Sequence, residues 1–208
     1  MRHPTVTGAR TRSRRPSTNS ATEHSAIGPA AVAGTPFAVE HLFGVVCQET
    51  AYFWVDLIDK LPAQTIIERC VLDASGDFPG TDRGAFPHNS AAFRARYGDD
   101  FTSLLIDEAN QTRALRSFKP QTWVYKGYGL FQYDLQFVTT DEKFFRERQW
   151  YSFDQCAIKA MSELTKAYQR TGDIRQAIRA YNGSGSRAER YASNVTQFCA
   201  WCSADTVV

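Results

Sequence analysis

Apolar residues from position 37 onward fall on one helical face: Val39, Leu42, Phe43, Val46, Phe53 and Leu57 recur until Pro62 breaks the run, predicting one long buried helix over 37–61. Residues 71–98 lose that period and are rich in Gly, Pro, Asp and Ser, predicting an irregular segment that supports or covers a site and ends in a short helix near 90–97. Asp99 and Asp100 are placed to cap the next helix, on which Phe101, Leu104, Leu105, Glu108, Thr112 and Leu115 share helical spacing up to the stop at Pro120. Residues 121–137 are aromatic and broken by glycine, which predicts short extended pieces or a tight loop. Thr139 to Glu142 have the form of a capping box, and Phe153, Cys156, Ala160, Leu164, Ala167 and Tyr168 make an apolar stripe that Gly172 stops. Asp173 caps a further helix with Ile174, Ala177, Ile178 and Tyr181 on one face, closed by Asn182 and Gly183, and residues 188–201 supply the last. With no internal repeat, the pattern predicts a mainly α globule with a small extended or loop region.

Composition divides the chain. Residues 1–36 are rich in Ser, Thr, Arg, Pro and Gly without periodicity and read as a disordered basic tail, leaving 37–208 as one folded domain. The net charge of +2 hides an asymmetry: five arginines (Arg2, Arg10, Arg12, Arg14, Arg15) against Glu23 lie in that tail. The body keeps 19 basic and 21 acidic residues, which excludes nucleic acid as a partner of the body on electrostatic grounds. No apolar run approaches the ~18 residues of a membrane span, and the basic start lacks the apolar stretch of an export signal. The five cysteines are an odd count without framework spacing, and the Cys199/Cys202 pair has no second pair to complete a zinc site. Neither a metal nor a cofactor is expected. Aromatic residues at 13% suit a carbohydrate ligand, although packing is the commoner reason for them.

The residue that carries candidate chemistry is Glu49. It sits inside the first apolar helix, with Val45, Val46, Tyr52 and Phe53 three and four positions away on its face. Glycosidic cleavage requires a carboxylic acid that keeps its proton near neutral pH, and desolvation on such a face raises a glutamate's pKa. A structural glutamate bonded to a buried polar group has the same pattern, so periodicity alone leaves both readings open.

Three segments, in order, add to this. Gly44 to Thr50 (Gly-Val-Val-Cys-Gln-Glu-Thr), Gly127 to Asp134 (Gly-Tyr-Gly-Leu-Phe-Gln-Tyr-Asp) and Ala177 to Gly183 (Ala-Ile-Arg-Ala-Tyr-Asn-Gly) together cover about a tenth of the chain. The set resembles the Glu-Ser, Gly-Leu-Met-Gln and Ala-Tyr-Asn-Ala-Gly segments of soluble lytic transglycosylases and goose-type lysozymes, in the lysozyme-like superfamily. Thr50 stands where that family has Ser, Phe131 where it has Met, and Ser184-Gly185 follow Asn182-Gly183. The stretch from Glu49 to Gly127 is also much longer than the family's, an insertion at about 70–120 that holds Asp73, Asp77, Asp82, Arg83, His88 and Asn89 as candidates for a second carboxylate or a substrate clamp.

The resemblance implies a lysozyme-like helical domain that cleaves the β-1,4 bond between N-acetylmuramic acid and N-acetylglucosamine in peptidoglycan. Glu49 is then the acid, oriented by Tyr181, and Asp134 is a second catalytic carboxylate that positions water in the goose-type pattern. Gln132, Asn182 and Thr50 contact the glycan, Gly129, Leu130 and Phe131 shape the groove wall, and Tyr128 stacks on a sugar ring. Lytic transglycosylation leads, with hydrolysis by a goose-type-like lysozyme as the alternative muramidase chemistry. A noncatalytic glycan-binding protein on the same fold and a wholly structural helical protein remain as other classes. The implied partner is the peptidoglycan strand, met by a monomer in the bacterial cell envelope, periplasm or outside the cell.

Overall fold

A computed structural model describes residues 27–205 of the chain. The architecture is mainly helical, as the periodicity predicts. Nine α-helices occur among the described residues: α1 (Ile27–Val32), α2 (Val39–Trp54), α3 (Ala63–Glu68), α4 (Ser90–Tyr97), α5 (Asp99–Leu115), α6 (Glu142–Arg146), α7 (Phe153–Thr171), α8 (Ile174–Asn182) and α9 (Gly185–Asp205). A small antiparallel sheet joins β1 (Val71–Leu72), β2 (Gly127–Tyr128) and β3 (Tyr133–Asp134) in that order, with Val71 opposite Tyr128 and Gly127 opposite Asp134.

The core forms where α9 lies along α2 and α8 wedges between α7 and α9. Gly44 permits the close crossing of α2 and α9, because a Cβ there would meet Cys199 Sγ at 2.8 Å and the Val195 carbonyl oxygen at 2.9 Å. Local signals account for the C-terminal helices. Ser152 caps α7 through the Gln155 amide, Gly172 ends it in the left-handed conformation, and Asp173 caps α8 through the Gln176 amide.

Four local expectations differ from the structure. The long helix over 37–61 is α2, which stops at Trp54 and continues as a 3-10 turn over Val55–Leu57. Val55 and Ile58 point to solvent there and Leu57 is only partly buried, so residues 55–61 offer too little apolar surface to carry the helix on. Asp99 and Asp100 stand in the first turn of α5 with Gly98 as the N-cap, where acidic side chains favour the helix dipole rather than bond an amide. Asp141 precedes α6 without a side-chain cap, its carboxylate paired with Lys159 at 2.7 Å. The predicted tail over 1–36 lies outside the described residues up to 26, but Ala31 and Val32 of α1 pack against the core beside α7.

The insertion is an excursion from the sheet. It leaves β1, runs through a strap over 73–89 and through α4 and α5, and returns to β2, the partner of β1. Two buried ionic groups anchor it. Glu108 on α5, 1% exposed, accepts hydrogen bonds from Arg69 at 3.0 Å, Arg148 at 2.6 Å and the Tyr151 hydroxyl at 2.7 Å. Asp77 in the strap pairs at 2.6 Å with Lys126, which is fully buried just before β2.

Candidate active site

A pocket of about 580 Å³ opens between α2, the β2–β3 hairpin, α7 and α8. That is the size of an ordinary small-ligand site. All three segments that resemble the transglycosylase pattern reach its wall: Glu49 from the first, Gly127, Gln132 and Asp134 from the second, and Tyr181 and Asn182 from the third. Tyr52, Asp73, Glu163 and Arg170 add polar groups around them.

Glu49 opens onto the pocket with part of its surface, yet protein atoms surround it on most sides. Burial pushes its carboxyl from the ordinary 4.5 up to about 7, against the opposing pull of the Tyr191 hydroxyl, which donates to Oε1 at 2.7 Å. Tyr191 is itself 5% exposed on α9, between Ala188 and Val195. A carboxyl so placed can keep its proton up to near neutral pH, and the Tyr191 hydrogen bond fixes its orientation.

The orienting role expected of Tyr181 thus belongs to Tyr191. Tyr181 spends its hydroxyl on the Phe131 carbonyl at 2.9 Å, and its ring lies 6.4 Å from that of Tyr191. Tyr181 braces the hairpin while Tyr191 holds the acid. The sequence carried one signal for Tyr191: a tyrosine on an apolar helix face needs a partner for its hydroxyl. Replacement of Tyr191 by Phe removes a bond to the charged form of Glu49, so the alkaline limb of any Glu49-dependent activity moves up by about one pH unit. An unmoved limb in a pH–rate profile would assign the control of Glu49 to another group.

Thr50 lies behind the acid rather than in the pocket. Its fully buried hydroxyl is 3.1 Å from both the Val46 and the Leu130 carbonyl oxygens and accepts from the Trp54 indole at 3.0 Å. It ties the helix that carries Glu49 to the hairpin, and burial removes it from glycan contact. Tyr128, Gly129, Leu130 and Phe131 are likewise buried and stay off the pocket wall. Tyr128 cannot stack on a sugar, because its ring is packed edge-on between Phe145 and Trp150. Gly129 is required at the hairpin bend: its φ is +75°, and a Cβ would meet Cys156 Sγ at 2.3 Å. These residues shape the wall from behind.

Gln132 does line the pocket, but its amide nitrogen is committed to the Gly129 carbonyl at 2.9 Å and the Cys70 carbonyl at 3.2 Å. Only its oxygen is left for a ligand. Asp134 caps the 3-10 turn over Leu135–Thr139 through the Gln136 amide at 2.6 Å, and it also lines the pocket. Arg83 of the strap forms an ion pair with the same oxygen, Oδ1, as that amide. Of the other strap candidates, Asp73 lines the pocket and Asp77 is used on Lys126 and Ser90. Asn89 caps α4, and His88 is spent on the Arg83 carbonyl. Among the described residues, no three metal-ligating side chains gather into one cluster.

No protein-family model, curated protein or solved structure matches the chain. A functional reading therefore rests on the residues and on their geometry.

Among the described residues no helix is long and apolar enough to cross a membrane.

Proposed function

We propose that this chain is a peptidoglycan-cleaving glycosidase of the lysozyme-like type, a lytic transglycosylase with Glu49 as its acid. The observation that carries the proposal is convergence: three segments separated by long stretches of sequence meet at one pocket, around the one carboxyl among the described residues that burial pushes up to about 7.

In this reading the Glu49 carboxyl protonates the glycosidic oxygen as the bond from the anomeric carbon to that oxygen breaks, and the leaving sugar departs as an alcohol. The oxocarbenium-like centre is captured by the 6-hydroxyl of the same N-acetylmuramic acid residue. Glu49, now a carboxylate, takes up that hydroxyl proton and returns to its starting form. Asp134 enters as an acceptor already charge-paired through Oδ1, which leaves Oδ2 to orient a hydroxyl. Asn182 and the Gln132 oxygen face the substrate's N-acetyl and hydroxyl groups.

Hydrolysis is the second reading, favoured by Asp134 lying on the same pocket wall as Glu49, where water in place of the 6-hydroxyl would attack. Mass spectrometry of the muropeptides released from purified peptidoglycan decides between them. Transglycosylation yields 1,6-anhydro ends, hydrolysis yields reducing ends, and the absence of both from a folded protein sinks the enzyme reading. The substrate places the site of action in the bacterial cell envelope.

A further inference from the structure

The insertion adds a second surface that shares a wall with the pocket. Tyr52 lies one turn beyond Glu49 on α2, lines the pocket, and is 63% exposed. Arg116, the residue that ends α5, lays its guanidinium 6.0 Å from the Tyr52 ring centroid and 4.7 Å from that of Phe118, which is 52% exposed. A tight turn presents them: Ser117 adopts a φ of +57°, and the Phe118 amide donates back to the Arg113 carbonyl at 2.8 Å. An aromatic ring, a guanidinium and a second aromatic ring thus run outward from the rim.

A guanidinium stacked by its face keeps its edge donors available, and that edge is the planar fork that matches a carboxylate. No described carboxylate is paired with Arg116, whereas Arg69, Arg83 and Arg94 are each paired with one. The rings beside it are flat apolar faces left in water, suited to the C–H face of a sugar. Charge inside the pocket points the same way. Asp73, Glu163 and Asp134, the last paired with Arg83, line it against a single lining cation, Arg170, so the wall stays net acidic and a carboxylate on a bound glycan is favoured outward, toward Arg116.

We infer that Tyr52, Arg116 and Phe118 form a substrate subsite, supplied largely by the insertion, that takes the free lactyl carboxylate of a peptide-free N-acetylmuramic acid unit adjoining the bond at Glu49. The inference rests on the glycan reading of the pocket and gives the insertion its purpose, to select strands whose muramic carboxylates are free because the stem peptide is absent.

The test is calorimetric binding to the Glu49→Gln protein, with two probes: a tetrasaccharide of alternating N-acetylglucosamine and N-acetylmuramic acid, and the N-acetylglucosamine tetramer, which has no carboxylate. The acidic probe binds about tenfold or more tightly, and the preference shrinks as salt rises. Adding Arg116→Gln brings the two affinities together, and adding Phe118→Ala weakens both probes by a similar factor. A preference that survives Arg116→Gln, or one that Arg170→Gln removes instead, overturns the subsite. Turnover of peptidoglycan by the wild-type chain is scored separately. An Arg116-dependent preference without turnover keeps the subsite and overturns the cleavage reading, while turnover without a preference does the reverse. Failure of the folded protein to bind either probe overturns both.

Discussion

Glu49→Gln lowers glycan cleavage by about 10²–10⁴-fold and, above pH 7, makes the protein more stable than the wild type. The two effects share one cause. Glutamine cannot supply the proton, but it fills the same space and still accepts from Tyr191, so the pocket keeps its shape. The wild-type carboxyl is raised from 4.5 to about 7 by burial, so between those values the folded chain holds a proton that the unfolded chain has released. The stability this group contributes is full below 4.5 and is lost as pH rises through about 7, a loss on the order of 3 kcal/mol in all. Urea unfolding at steps from pH 4 to 9 measures it. The difference between wild type and Glu49→Gln isolates this one group, and activity falls over the same alkaline range as the acid form disappears. Parallel stability curves for the two proteins would remove Glu49 as the buried acid, and retained cleavage would remove it as the catalyst.

Asp77→Ala destabilises the fold by about 3–5 kcal/mol, because it strands a charge rather than merely deleting a contact. Asp77 is the acceptor for Lys126, which has no exposed side-chain surface, and also for the amide and hydroxyl of Ser90. Ser90 in turn receives the Val124 amide at 2.8 Å, so the group links the strap, α4 and the approach to β2. Burial lowers the Lys126 pKa while Asp77 opposes that shift. Without Asp77 the ammonium sheds its proton in the folded state more readily than in the unfolded chain, so the variant regains stability as pH rises toward 10. Adding Lys126→Met to Asp77→Ala restores much of the loss, since no buried charge is left behind. Equilibrium unfolding of the three proteins at pH 7 and 9 checks each point; a loss below about 1 kcal/mol for Asp77→Ala would mean that water relieves Lys126.

Much of the helical layout was readable before any contact was known. The stripe from Phe153 to Tyr168, its stop at Gly172 and the Asp173 cap depend only on neighbours within a turn or two, and periodicity and capping operate over that range. The same short-range reasoning overreached at Asp99 and Asp141, where an ion pair with Arg94 or Lys159 competed for a side chain that looked like a cap. Thr50 and Tyr128 sit in segments whose pattern suggested ligand contact, yet nothing local states whether a side chain meets solvent or the back of a hairpin.

Glu49 was legible as a costly carboxyl on an apolar face, and so were the three segments that accompany it. Its partner was not. Tyr181 and Tyr191 have similar surroundings in the chain, and only the packing of α9 along α2 brings the second to Glu49, 142 positions away, while Tyr181 is spent on the hairpin. The same holds for Arg83 on Asp134 and for Arg116 between Tyr52 and Phe118. The sequence by itself determined which segments are helical and which carboxyl is out of place, because those follow from local period and desolvation. Tertiary structure alone decided what surrounds that carboxyl, because hydrogen bonds and ion pairs depend on distances that the chain sets only once it has folded.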